Sequence, residues 1–169
     1  PGALHGLASA RGSQRPVTVV DEVDRETRDV LDRFGSPLGG LKIAVDCANG
    51  AYSGIAPFAF ERLGAEVIPL ADKPDGSNIN VDCGATDLRL LQEQVVQGGA
   101  ALGVAFDGDG DRMLAVDGDG QTVDGDQILA ILALDLQVDT VVVTVMTNLG
   151  LHRLMAERGI RVVTTDVGD

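Results

Sequence analysis

Apolar and polar positions change rhythm several times along this chain. Residues 41–47, 65–70 and 101–106 are short apolar runs bounded by Gly, Pro, Asn or Asp, which predicts buried strands. Between them apolar residues recur at helical spacing. One helix is predicted from a Ser53 cap to about Arg62, with Gly64 as its stop. Another is predicted over 87–97, capped by Thr86, with Leu88, Leu91 and Val95 at i, i+3 and i+7 and Gly98-Gly99 closing it. Strands alternating with helices of this length predict an α/β fold: a mostly parallel sheet, right-handed crossovers and flanking helices on both faces. Two further runs, 113–117 and 121–123, enclose Asp-Gly-Asp-Gly at 117–120, which predicts a hairpin at an antiparallel edge.

The pattern restarts after this block. Asp124 or Asp126 can cap a helix over about 127–136. A β-branched strand follows at 140–146, then a helix from Asn148 to about Arg158, a stop at Gly159, and a strand at 160–165. Two strands and one helix cannot bury both faces of a sheet. The predicted domains are therefore 41–137, an α/β unit, and 138–169, the incomplete opening of a second α/β unit. Upstream, Val23, Val30, Leu31 and Phe34 place a helix at about 21–34, and residues 35–40 break it. Residues 1–16, rich in Gly, Ala, Ser and Pro, read as a flexible leader, so 1–40 is leader plus linker helix.

Composition narrows the class. The chain has 169 residues, 44% hydrophobic and only 3% aromatic with no Trp, so its core rests on Val, Leu, Ile and Ala. A net charge of −13 argues against nucleic-acid and anionic-membrane partners. Cys47 and Cys83 form no zinc spacing and read as free thiols. No signal-peptide pattern or membrane-length apolar run occurs, so the expected location is cytoplasmic.

Much of the charge is local. Residues 107–126 hold seven aspartates and one arginine, a net charge of −6, which calls for a cation or a basic surface. At 107–112 the sequence is Asp-Gly-Asp-Gly-Asp-Arg. The glycines allow a tight curl, so Asp107, Asp109 and Asp111 can point at one centre. Converging carboxylates repel, and a hard divalent cation with oxygen ligands relieves them. Three protein oxygens leave room for water or phosphate, as Mg2+ prefers, and Arg112 adds a planar fork suited to phosphate. The run follows a predicted strand, where open α/β sheets bind ligands. A plain solvated turn is the competing reading, and Asp-Gly-Asp-Gly at 117–120 fits it. An EF-hand loop fails: counted from Asp107, position six is Arg112 and position twelve is Gly118. Counted from Asp117, position five is Gln121 and position twelve is Ile128.

Six phrases carry a resemblance: Val-Asp-Cys-Ala-Asn-Gly at 45–50, Pro-Asp-Gly-Ser-Asn-Ile-Asn at 74–80, Cys-Gly-Ala-Thr at 83–86, Ala-Phe-Asp-Gly-Asp-Gly-Asp-Arg at 105–112, Val-Asp-Gly-Asp-Gln at 123–127 and Val-Met-Thr-Asn-Leu-Gly-Leu at 145–151. Over about 41–169 the chain resembles the α-D-phosphohexomutases, and within them the phosphoglucosamine branch. The resemblance implies four domains around one cleft and a phosphoserine from the first domain that exchanges phosphoryl groups with the sugar. It implies Mg2+ held by Asp107, Asp109 and Asp111 together with the phosphoserine, and Arg112 on that phosphate or its loop. The implied partners are a phosphosugar, glucosamine 6-phosphate or glucosamine 1-phosphate, and the remaining domains of a parent chain.

Departures accompany it. The family's Ser-His-Asn-Pro type loop does not occur; Ser9, Ser13, Ser36, Ser53 and Ser77 lie in other contexts, as do His5 and His152. The Glu-x-Ser-Gly-His sugar loop and the C-terminal phosphate loop do not occur, residues 1–40 match poorly, and the 134–140 connection is short for the family. The expectation is a middle portion of such an isomerase, inactive alone. A stand-alone acidic cation-binding module is the alternative. A phosphatase of haloacid-dehalogenase type fits less well, because its Asp-x-Asp-x-Thr follows the first strand rather than the third.

Overall fold

A computed structural model of the chain describes residues 19–168; the leader predicted at 1–16 lies outside the described residues. The chain divides between residues 36 and 37 into two compact units. The first contains α1 (Val19–Phe34), which Gly35 ends by donating its N–H to the Leu31 carbonyl at 2.8 Å.

The second unit holds two sheets. In the larger, β1 (Lys42–Asp46), α2 (Ile55–Arg62), β2 (Glu66–Leu70), α3 (Arg89–Gly98), β3 (Leu102–Phe106), β4 (Met113–Asp117) and β5 (Thr122–Val123) follow in chain order. A 3-10 turn at Gly84–Thr86 precedes α3. Strand order is β2-β1-β3-β4-β5. β1 pairs in parallel with β2 and β3, because a helical crossover returns the chain each time. β3 and β4 are joined by the acidic stretch 107–112 alone and must be antiparallel, as are β4 and β5. The fold class is the α/β arrangement that the periodicity predicts.

Side-chain alternation on β1 divides the core between the two faces of this sheet. Ile43, Val45 and Cys47 are buried with Ala56, Ala65 and Val104 on one side. Ala44 is buried with Leu91, Val95, Ala100, Ala105 and Val116 on the other. Gly103 lets α3 lie close: a Cβ there would sit 2.6 Å from Val95 and 2.7 Å from Leu91.

Two helix starts differ from prediction. The N-cap of α2 is Gly54 with no side-chain bond, and the Ser53 hydroxyl is buried without a partner. Thr86 does not cap α3; its hydroxyl donates to the Cys83 carbonyl at 3.2 Å, and Leu88 is the N-cap. The 3-10 turn takes up the residues a straight helix would have used.

The smaller sheet pairs β6 (Thr140–Thr144) with β7 (Arg161–Thr165) in parallel, joined by α5 (Leu149–Glu157). Before it runs α4 (Gly125–Asp135), started by Asp124 in a full capping box with Gln127. Asp126, the other candidate cap, instead accepts the Asn148 N–H at 2.9 Å. Ala133 of α4 is buried with Val141, Val143, Leu151 and Met155, and Leu129 and Ala130 pack beside them. The apolar side of α4 thus packs against the smaller sheet, while the sequence reading groups 127–136 with the first unit. Apolar residues of α4 and α5 together cover one face of β6.

Candidate metal centre

The parallel strands β1, β2 and β3 end at one edge, and their loops meet there. The β3–β4 loop carries the acidic run. Asp107, Asp109 and Asp111 each offer a carboxylate oxygen, all within 4.8 Å of one another. Arg112 is not at a distance from them. Its Nε donates to Asp107 Oδ2 at 2.7 Å and lies 3.4 Å from Asp111 Oδ1. Asp107 is buried, while Asp109 and Asp111 are exposed. The other Asp107 oxygen, Oδ1, accepts the backbone N–H groups of Gly110 and Arg112, both at 3.1 Å. Asp107 thus shapes the loop and still has a lone pair free on Oδ2.

Burial and close neighbours push two of these carboxyls in opposite directions. Burial acts to raise Asp107, but the Arg112 backbone N–H and guanidinium bonds outweigh it and hold the carboxyl below the usual range. Partial desolvation, a hydrogen bond with Asp107 and the charge of Asp109 push Asp111 up. The donor set fits a hard divalent ion. Octahedral Mg2+ with bonds of about 2.1 Å needs oxygens about 3 Å apart at neighbouring positions, so oxygens that lie within 4.8 Å of one another would draw together around it.

The loop rests on a glycine-lined floor. Ala51 N–H donates to the Gly108 carbonyl at 2.8 Å, and a Cβ on Gly50 would fall 2.2 Å from that same oxygen. A Cβ on Gly108 would strike Ile79 and Asn80 at 2.7 Å, and one on Gly110 would strike the Tyr52 ring at 2.5 Å. Tyr52 in turn meets Phe106 edge-on, with ring centroids 4.9 Å apart. The phrases 45–50 and 74–80 thus lie under the acidic loop.

The sequence reading missed Asp46. It took this residue as part of a buried strand, yet a carboxylate in an apolar run was itself the signal. Asp46 is fully buried, and its two oxygens accept the N–H groups of Ala48 at 2.9 Å and Gly84 at 2.8 Å. Asn49, three residues past Asp46, adopts φ 48°. Its side chain accepts the Lys73 N–H at 3.1 Å and donates to the Asn78 carbonyl at 3.3 Å.

This arrangement has a counterpart in known proteins. Residues 28–120 match the family model for phosphoglucomutase/phosphomannomutase, alpha/beta/alpha domain II, and residues 124–169 match that for domain III. The chain belongs to this family. A phosphoglucomutase/phosphomannomutase family protein of Burkholderia thailandensis superposes with a TM-score of 0.75 at 26% identity, over 86% of this chain and 33% of that one. The phosphoglucosamine mutase of Thermobifida fusca is 50% identical over 168 residues, 96% of this chain and 37% of that enzyme. That of Pelotomaculum thermopropionicum is 54% identical over 157 residues, 89% of this chain and 35% of the relative. This phosphohexomutase chain therefore spans little more than a third of the length of these relatives. No helix among the described residues is long and apolar enough to cross a membrane.

Proposed function

We propose that the chain supplies the cation-binding portion of a cytoplasmic phosphoglucosamine mutase, an isomerase interconverting glucosamine 6-phosphate and glucosamine 1-phosphate. In this reading Asp107, Asp109 and Asp111 hold Mg2+ and Arg112 contacts a phosphate. The ion, when bound, supplies positive charge beside a transferring phosphoryl group. Such transfers depend on positioning and charge neutralisation more than on covalent help from the protein. Arg112 keeps a mostly exposed side chain for that task, while its Nε and backbone N–H orient Asp107. The observation that carries the reading is the convergence of three carboxylates at the strand ends of a phosphohexomutase chain. The phosphoryl-carrying serine would come from elsewhere in a parent protein, since no Ser-His-Asn-Pro type loop occurs in this sequence. We put the boundary between the two α/β units just before Asp124 rather than near 137, a reading supported by the packing of Leu129, Ala130 and Ala133 beside Val141 and Val143.

The test is a Mg2+ titration by calorimetry, or by the melting shift that selective binding to the native state produces. Wild type should respond at millimolar Mg2+, and a triple Asp107→Asn, Asp109→Asn, Asp111→Asn variant should not. Equal responses would refute the site assignment. The chain alone should not turn over glucosamine phosphates in a coupled assay primed with a hexose bisphosphate. Turnover lost in Asp109→Ala would show that no outside serine is needed.

A further inference from the structure

We infer that Asp46 is a positioning residue for the acidic loop, setting its cation affinity from beneath although it touches none of the three carboxylates. The inference rests on the metal-site reading but concerns a different residue. Asp46 ends β1 with both oxygens used and no exposure to solvent. One oxygen fixes Ala48, whose φ of 55° begins a left-handed pair completed by Asn49. Non-glycine residues adopt that conformation reluctantly and need support from their surroundings. The turn so held presents Gly50 and Ala51 to the Gly108 carbonyl inside the acidic loop. The Ala48 carbonyl also accepts the N–H of Asn80, which packs under Gly108.

The other Asp46 oxygen reaches across 38 positions in sequence to the Gly84 N–H. Gly84 has φ 71° and lies so close that a Cβ would meet Ala48 Cβ at 2.5 Å and the Phe106 carbonyl at 2.7 Å. Phe106 immediately precedes Asp107. One buried carboxylate therefore ties together the two loops that support the acidic run from both sides. A carboxylate that accepts two N–H bonds with its two oxygens cannot be replaced by an amide, which would turn an NH2 group against one donor. A structural residue in the same core, such as Leu91, makes no such link to the loop.

The experiment compares wild type, Asp46→Asn and, as a destabilised control, Leu91→Ala, all in the 169-residue chain and below their melting temperatures. Hydrogen exchange without metal reads the Gly110 and Arg112 amides, which bond to Asp107. Calorimetry with Mn2+ reads affinity. In Asp46→Asn these two amides should exchange at least about tenfold faster than in Leu91→Ala, and Mn2+ should bind about tenfold more weakly. In Leu91→Ala, Mn2+ affinity should stay within about twofold of wild type. Unchanged loop exchange in Asp46→Asn, or equal acceleration in the control, overturns the inference even if Mn2+ binds. If wild type itself does not bind Mn2+, the metal reading falls and the affinity part of the inference with it, while faster loop exchange in Asp46→Asn still shows that Asp46 positions the loop. If Asp46→Asn does not fold, Asp46→Ser decides: its single hydroxyl oxygen cannot hold both the Ala48 and Gly84 N–H groups, so the same two amides should again exchange faster, and unchanged amides would overturn the inference.

Discussion

Gly50 has no room for a side chain. A methyl group there would press on the backbone oxygen of Gly108, not on a side chain able to swing away. Gly50→Ala should therefore displace the acidic loop, costing about 1–3 kcal/mol of stability as overpacking does. It should also abolish the Mg2+ response while leaving all three carboxylates in place. A normal Mg2+ titration in that variant would mean that the loop does not depend on its floor. Protons compete for the same oxygens. With Asp111 raised and Asp107 lowered, the two carboxyls titrate apart. The Mg2+ response should fade on acidification from above the usual carboxylate range, starting with Asp111, and Asp111→Asn should remove that first step. Burial likewise raises Asp46, against the bonds from Ala48 and Gly84. The native state then takes up a proton more readily than the unfolded chain. Its contribution to stability is full below the unfolded pKa of 3.8 and is lost as pH rises through the folded value. Of these residues the three aspartates and Arg112 are legible in the sequence, because glycine spacing is a local signal. Asp46 and Gly50 act through contacts distant in sequence: the carboxylate inside an apolar run marks Asp46 as unusual, but no local pattern encodes what it binds or what Gly50 touches.

At the scale of elements, apolar periodicity located each predicted strand to within two residues, because burial on one or both faces sets that period. Helix starts were less legible. Asp124 and Asn148 cap as predicted, each accepting an N–H from the first turn: Asp124 from Gln127 at 2.9 Å, Asn148 from Leu151 at 3.1 Å. Ser53 and Thr86 have the right chemistry but do not cap: α2 starts after Gly54 and α3 after Leu88, neither with a side-chain cap bond. These cases predict opposite outcomes. Asp124→Ala removes a reciprocal capping box and should cost about 1 kcal/mol. Ser53→Ala removes a buried hydroxyl that bonds to nothing and should be neutral or slightly stabilising. Paired denaturant melts decide the matter: a larger loss from Ser53→Ala would mean that this hydroxyl has a partner after all.

At the scale of the whole molecule, the two sheets differ in how well they are covered. β1 lies between β2 and β3 and has a core cluster on each face, so its amides are screened on every side. β6 and β7 form a lone pair with two open edges. α4 and α5 bury Val141 and Val143 on one face, but on the other Val142 is 63% exposed. A two-stranded sheet with one bare face offsets little of the roughly 1–2 kcal/mol of entropy lost per ordered residue. Hydrogen exchange should therefore show slow amides in β1 and β3 and much faster ones in β6 and β7, opening below the global unfolding free energy. The bare face and edges are also the first expected site of self-association, since Thr140–Thr144 is β-branched and uncharged. Val142→Lys puts a charge on that face without touching the buried cluster. It should raise the concentration at which the chain aggregates and leave the Mg2+ response intact. If β6 and β7 are as protected as β1 in a sample shown to be monomeric, or if Val142→Lys unfolds the chain, then the second sheet is covered within this chain and its proposed independence is wrong.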